Sequence, residues 1–202
     1  LQDGYPTQLR SLLNPEIAVV NIGEGGDRAE LNTDAADVIA ELGTFDYRKN
    51  HYVIYWMGTN DLNNGRTVSE LRADIASWIS ATRTAYPQAK LIGCSITPAA
   101  WLTGGEEAAR TQINSSITAN EIDGESFDVV VDLASHPKLD DNTDATYYES
   151  DDGHISPAGH TVIAREIRHE VEKLQGDYPL VKYFESRSDI SDTDEYVFSG
   201  FD

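Results

Sequence analysis

Asp151 and His154, towards the C-terminal end of the chain, are residue types at a spacing that could carry proton transfer. They form a D-x-x-H motif just before Pro157, where apolar residues begin to recur at helical spacing. A histidine that takes a proton from a nucleophile must be oriented by a further group, and an Asp–His pair is one part of a serine esterase site. The same stretch also suits an ordinary acidic helix start, with Asp152 or Ser156 capping the first turn. The motif by itself is compatible with both interpretations.

Two other segments could stabilise a developing negative charge. Asn60 lies in a G-T-N-D segment after the strand-like residues 51–57, and a side-chain amide aimed at an oxyanion lowers a barrier by roughly 3–4 kcal/mol. Gly26 ends a glycine-rich stretch after residues 17–20, and a residue without a Cβ can expose its N–H. Both segments could equally be plain turns or loops. Asp61 is expected to order its loop rather than to react.

These segments, in this order and spacing, resemble the SGNH (GDSL-like) hydrolase family over roughly residues 5–175. The resemblance implies that Gly26 and Asn60 form the oxyanion hole, that His154 is the base and that Asp151 orients it. It also implies a three-layer α/β sandwich with a mostly parallel, flavodoxin-like sheet. The implied activity is hydrolysis of acyl or acetyl esters through an acyl-enzyme, without a cofactor.

The nucleophile serine cannot be identified, because the G-D-S block of the family is not found in the chain. Ser95 ends a predicted strand but lacks the G-x-S-x-G setting of a nucleophile elbow. Ser199 lies in a segment that faintly resembles the nucleophile strand, with Asp202 at the position of the serine. Three explanations stay open: a first strand that precedes Leu1, a rearranged chain whose first strand is residues 196–199, and a catalytically inactive binding module.

Alternating strand and helix patterns predict a doubly wound parallel α/β sheet. Ligand sites on such sheets lie beyond the carboxyl ends of the strands, so the motifs are expected to converge there. The predicted strands are Ile17–Val20, Tyr52–Trp56, Lys90–Ile96 and Phe127–Leu133, and the predicted helices are Leu31–Leu42, Thr67–Tyr86, Gly105–Asn120 and Pro157–Leu174. The family resemblance implies a further helix at Tyr5–Leu13.

The pattern divides the chain into a hydrolase-like domain, residues 1–175, and a tail, residues 176–202. The tail is predicted to be a polar linker followed by a strand at residues 196–199, which would fill the place of the absent first strand. A strand supplied by a second chain is the alternative.

Charge and composition narrow the range of partners. The 202 residues include 15 basic and 35 acidic ones, which disfavours nucleic acids, anionic membrane surfaces and phosphodiester substrates. No apolar run is long enough to cross a membrane. The expected partner is a small-molecule or carbohydrate ester. The compartment is not determined by the sequence, although the resemblance slightly favours a secreted or periplasmic protein.

Three other features are open or expected to be structural. Cys94 lies in an apolar run and is expected to be a buried, inert thiol. The acidic stretch from Asp140 to Asp152 is interpreted as a solvated face rather than a calcium site, and no zinc motif occurs. Trp101 either lines a substrate cleft or covers the core.

Overall fold

The computed structural model describes residues 4–13, 17, 19–21, 23, 25–31, 33–42 and 52–175. A 3₁₀ turn covers Ala29–Leu31. In these residues the helices are α1 (Tyr5–Leu12), α2 (Ala35–Leu42), α3 (Thr59–Asn63), α4 (Val68–Ala85), α5 (Gly104–Ala119) and α6 (Pro157–Gln175), and the strands are β1 (Tyr52–Tyr55), β2 (Lys90–Cys94) and β3 (Val129–Val131).

The three strands form one parallel sheet in the order β1-β2-β3. Tyr52 pairs with Lys90 at one end of the first ladder, and Gly93 pairs with Val130 in the second. Parallel neighbours need crossover connections, which α3 and α4 provide between β1 and β2, and α5 between β2 and β3. The carboxyl ends of the strands therefore share one edge of the sheet.

Helices cover both faces of the sheet, and this confirms the three-layer α/β prediction. Successive strand residues point to opposite faces. Leu91 packs in the core with Ile75 of α4 and Ile113 of α5. Its neighbour Ile92 packs in the other core with residues of α1 and α6, such as Ile163. All five residues are fully buried.

The sequence of α4 accounts for both its N-terminal cap and its buried face. Its N-cap, Thr67, forms a capping box with Glu70, in which each side chain meets the main-chain N–H of the other. Apolar residues recur at helical spacing along this helix and form its inward face. Its buried members are Leu71, Ile75, Trp78, Ile79 and Thr82, with Val68 partly buried.

The predicted strand Ile17–Val20 is wrong for the residues described there, because 17, 19 and 20 lie outside any strand. A β-strand exists only where a neighbour takes up its backbone N–H and C=O groups, and none of the described segments pairs with these residues. Ile17 and Val19 still pack partly against the core, whereas Val20 is exposed.

One helix and one strand are shorter than predicted. The helix expected from Leu31 begins at Ala35, because the Asp34 carboxylate accepts hydrogen bonds from the N–H groups of Ala36 and Asp37. The strand expected from Phe127 to Leu133 covers only Val129–Val131.

The tail strand predicted at residues 196–199 lies outside the described residues, as does the rest of 176–202. None of the described helices is long and apolar enough to cross a membrane.

Candidate active site

The side chains of Asp151 and His154 are in direct contact, with Oδ2 of the carboxylate against Nδ1 of the ring. The second oxygen, Oδ1, accepts hydrogen bonds from the main-chain N–H groups of His154, at 2.9 Å, and Gly153, at 3.1 Å. Hydrogen bonds from the main chain and the ring of His154 lower the pKa of Asp151 to about 2. The carboxylate is therefore ionised at neutral pH and fixes the ring through Nδ1.

The opposite edge of the His154 ring faces outward. The side chain is 72% exposed, and its Nδ1 is already engaged by Asp151. Nε2 is therefore the ring nitrogen that an incoming group can reach. A base needs this arrangement, because one nitrogen orients the ring while the other moves the proton.

Capping of α6 falls to Ser156, so the cap does not compete with the Asp–His pair. The Ser156 hydroxyl accepts a hydrogen bond from the Gly159 N–H at 3.2 Å and donates one to the carbonyl of Thr146 at 2.6 Å. The Asp–His pair and the helix cap are therefore both present, and they use different residues. Asp151 orders the turn before α6, including His154, and Ser156 caps the helix.

Asn60 lies at the beginning of α3, just beyond the carboxyl end of β1. The turn that leads to it passes through Gly58, whose φ of 125° favours glycine, and a Cβ there would overlap Ile96. The Asn60 side-chain amide donates a hydrogen bond to the main-chain oxygen of Asp27 at 2.9 Å. The short helix therefore points the side chain of Asn60, its second residue, at the glycine-rich segment.

Gly26 directly precedes the carbonyl that Asn60 holds. Its φ is 90°, a backbone conformation that favours glycine, and the space where a Cβ would stand is open. The residue is exposed. The structure thus brings Gly26 and Asn60, which are far apart in the sequence, to adjoining positions.

Asp61 holds the main chain that follows Gly26 and Asp27. It is fully buried, and its carboxylate accepts hydrogen bonds from the N–H groups of Ala29, at 3.1 Å, and Glu30, at 3.3 Å. Burial raises the pKa of Asp61, and the two main-chain donors partly oppose this. Arg66 adds an ion pair to Glu30 at 3.2 Å and one to Asp74 of α4. The role expected for Asp61, ordering a loop, agrees with these contacts.

Trp101 stands beside the Asp–His pair. Its indole centroid lies 5.0 Å from the centroid of the His154 ring, with 51° between the planes. The main-chain N–H of Ala100 donates to the carbonyl of Asp152 at 3.0 Å, which joins the turn after β2 to the turn before α6. Trp101 is half-buried and also packs partly against the core.

Both pairs of predicted site residues therefore lie beyond the carboxyl ends of parallel strands. Asn60 and Gly26 adjoin at the end of β1, and Asp151 and His154 are tied to the turn after β2. No hydrogen bond among the described residues connects one pair to the other.

Comparison with known proteins identifies the family. The model of the GDSL-like lipase/acylhydrolase family matches residues 1–162. The chain belongs to this family. No curated protein matches the chain.

Solved structures of esterases share the fold at low sequence identity. A carbohydrate esterase family 3 from Talaromyces cellulolyticus is 21% identical, with a TM-score of 0.56 over 78% of this chain and 72% of that one. A carbohydrate acetylesterase from Sinorhizobium meliloti is 13% identical, with a TM-score of 0.59 over 86% of each chain. The aryl esterase of M. smegmatis is 16% identical, with a TM-score of 0.58 over 86% of each chain.

A GDSL-like esterase of serine type needs a nucleophile, and the described serines do not supply one. Ser95, at the end of β2, is fully buried; its hydroxyl donates to Asp132 at 2.8 Å and accepts from the Ala134 N–H at 2.8 Å. Its role is therefore to join the turns after β2 and β3. No described serine hydroxyl is hydrogen-bonded to His154, and Ser199 lies outside the described residues.

The acidic stretch orders its own turns. Asp141 accepts hydrogen bonds from the N–H and hydroxyl of Thr143, and Asp144 accepts one from the Thr146 N–H at 2.8 Å. In the described part of this GDSL-like chain, no group of three or more His, Cys, Asp or Glu side chains could hold a metal ion. Cys94 is fully buried, and burial raises the pKa of its thiol, as expected of an inert residue.

Proposed function

We propose that this protein is a serine-type ester hydrolase in which Asp151 and His154 transfer protons and Gly26 and Asn60 bind the oxyanion. The observation that carries the proposal is the double use of the Asp151 carboxylate. One oxygen meets Nδ1 of His154, and the other holds the main chain on which that ring stands. An ionised carboxylate on Nδ1 fixes the tautomer and stabilises the imidazolium that forms during catalysis.

The reaction would proceed in two acyl transfers. In the first, Nε2 of His154 takes the proton of a serine hydroxyl while the oxygen attacks the ester carbonyl. Collapse of the tetrahedral intermediate breaks the ester bond, and His154 returns the proton to the leaving alcohol. In the second, His154 takes a proton from water, hydroxide attacks the acyl-enzyme, and the acid leaves as the serine regains its proton.

Gly26 and Asn60 would stabilise both intermediates. A side-chain amide has two N–H donors, and the bond from Asn60 to Asp27 uses one of them. The second remains for an oxyanion. The N–H of Gly26 would be the other donor, on a residue held in place by that bond and, through the following turn, by Asp61. Fixed donors of this kind are worth about 2.7–4 kcal/mol each.

Neutral esters are the substrates that the protein's charge favours. The net charge of −20 repels anionic substrates. Among the described residues near the site, Arg28 and Arg66 are paired with acidic side chains rather than available to a phosphate. The fold is shared with proteins described as carbohydrate esterase and carbohydrate acetylesterase. A carbohydrate acetyl ester or a short-chain acyl ester is therefore proposed.

A catalytically inactive binding module is the second candidate. It is favoured by one observation, that no described serine meets His154. An inactive module would still use the same residues to bind an ester or an alcohol. The two candidates differ in whether restoring a nucleophile restores turnover.

The experiment compares p-nitrophenyl acetate hydrolysis by residues 1–202 with that of the same chain preceded by a strand ending in Gly-Asp-Ser. The chain alone is expected to show at most the residual catalysis of a scaffold lacking a triad member, about 10³–10⁴ over water. The extended chain is expected to turn over, and His154→Ala is expected to abolish that activity. Failure of a folded extended chain to hydrolyse the ester favours the binding module. Strong turnover by residues 1–202 alone that a serine inhibitor blocks would show that one of their own serines is the nucleophile.

A further inference from the structure

The indole of Trp101 occupies the space beside Gly153 in which any other residue would place its side chain. A Cβ built on Gly153 would overlap three carbons of the indole ring. The φ of Gly153 is outside the left-handed region, so the backbone conformation does not require glycine there. The position instead needs glycine because Trp101 packs against its main chain.

This packing adds to a main-chain link between the two turns. The carbonyl of Asp152 accepts hydrogen bonds from the Ala100 N–H, at 3.0 Å, and from the side-chain amide of Asn142, at 2.6 Å. Asp152 itself has a φ of 54°, a conformation that is uncommon for a residue with a side chain. The turn that carries Asp151 and His154 is therefore shaped from outside, by the residues around Trp101 and Asn142.

His154 has few other supports. Its side chain is 72% exposed, and its described side-chain contacts are the Asp151 carboxylate and the Trp101 ring. An exposed ring held by one hydrogen bond can rotate away from the nucleophile. A ring that is also in contact with an indole loses much of that freedom.

We infer that Trp101 is a positioning residue, which holds the turn from Asp151 to His154 in the shape that makes the Asp–His pair. It acts through two contacts, one on Gly153 and one on the ring of His154. This inference rests on the proposed function for its catalytic consequence, but not for its structural content. If Trp101 only covered the core, its removal would leave the geometry around Asp151 unchanged.

The Asp151 carboxyl reports on that geometry, because donors on His154 and Gly153 set its pKa. Its titration can be followed by carboxyl ¹³C NMR in the full 202-residue chain, so no nucleophile is needed. In Trp101→Ala the titration midpoint is expected to rise from about 2 towards the ordinary value of 3.8. Trp101→Phe, which keeps a ring, is expected to give a smaller rise. Trp56→Ala is the control for loss of an indole, because Trp56 is half-buried like Trp101 and its described ring contact is with Tyr5 rather than with Gly153 or His154.

A second variant separates positioning from general loss of packing. Gly153→Ala is expected to displace the indole and raise the midpoint, as Trp101→Ala does. The double variant is expected to be no worse than Trp101→Ala alone, because the added methyl group then has room. Such non-additivity is the signature of a direct contact. Additive effects, or an Asp151 that still titrates at about 2 in a folded Trp101→Ala or Gly153→Ala chain, overturn the inference.

The catalytic consequence is measured in the chain extended by Gly-Asp-Ser. Trp101→Ala is expected to lower kcat by about tenfold to a hundredfold, because a misplacement of about 1 Å can have an effect of that size. A raised midpoint together with an inactive extended parent supports the positioning role and contradicts the proposed function. A raised midpoint with unchanged kcat shows that the turn moves without consequence for the reaction, and it overturns the catalytic part of the inference.

Discussion

Asn60 donates a hydrogen bond from its side-chain amide to the main-chain oxygen of Asp27, 2.9 Å away. Asp27 directly follows Gly26, so this one bond fixes the distance between the two groups proposed to bind the oxyanion. The same side chain is thus both a support for the glycine-rich segment and a donor to the substrate. Loss of Asn60 would affect the two roles differently, and the difference can be measured.

In the chain extended by Gly-Asp-Ser, Asn60→Ala is expected to lower kcat by about 10²–10³, as removal of one oxyanion donor does. KM is expected to change little, because the lost bond forms only in the transition state. Steady-state hydrolysis of p-nitrophenyl acetate checks this. Asn63→Ala is the matched control, since Asn63 is exposed on the same short helix. Equal kinetics for the two variants would show that Asn60 is only structural.

Asp61→Ala is expected to reduce the free energy of unfolding by about 1–3 kcal/mol for each main-chain donor that it leaves buried and unpaired. The donors are the N–H groups of Ala29 and Glu30. Asp61→Asn keeps one acceptor and is expected to fall between the parent and Asp61→Ala. Urea unfolding measures both. The free energy of unfolding of Asp140→Ala, at an exposed position, is expected to stay within about 0.5 kcal/mol of the parent. A loss as large as that of Asp61→Ala would contradict the stabilising role of the Asp61 hydrogen bonds.

Periodicity predicted most of the fold because it reports burial directly. The inward face of α4 follows from the spacing of its apolar residues, and the opposite facing of Leu91 and Ile92 follows from the geometry of the strand that their apolar run predicts. The segment Ile17–Val20 has an equally apolar pattern, yet its described residues form no strand. An apolar pattern favours burial, but Val20 is exposed, because a strand also depends on a neighbour that takes up its backbone groups. That dependence has no local signal.

The candidate site likewise combines a local contact that the sequence predicts with distant contacts that it does not. Asp151 and His154 are three residues apart, so their contact is a local property of one turn, and the motif predicted it. The support for Gly26 comes from Asn60 and Asp61, over 30 residues away, through main-chain atoms of Asp27 and its neighbours. Main-chain partners leave no residue type to recognise. The sequence leaves open whether Trp101 lines the site or covers the core, because its partners Gly153 and His154 are more than 50 residues away in the chain.

Gly58→Ala is expected to destabilise the protein more than Gly65→Ala. Both glycines have positive φ, 125° and 85°, so alanine adds backbone strain at either position. The strain is about 1–2 kcal/mol in the left-handed helical region, and Gly58, with a ψ of −25°, lies outside that region. Only at Gly58 would the new Cβ also overlap Ile96, whereas the space at Gly65 is open. Overpacking is expected to add about 1–3 kcal/mol. Urea unfolding of the two variants measures the difference, and equal destabilisation would show that Ile96 moves aside without penalty.

Asp151→Asn is expected to lower stability in a pH-dependent way. The pKa of Asp151 is about 2 in the folded chain, below its ordinary value of 3.8, so the carboxylate binds protons more weakly when folded. Its contribution is therefore fully present above pH 3.8 and is lost as the pH falls through about 2. The gap in Tm between the parent and Asp151→Asn is expected to be largest near neutral pH and to close across that window. Asp140→Asn, on an exposed residue outside the turn, controls for the loss of one negative charge from an acidic protein. A gap that stays constant down to pH 2, or one that Asp140→Asn reproduces, would show that the donors around Asp151 do not favour its charged form.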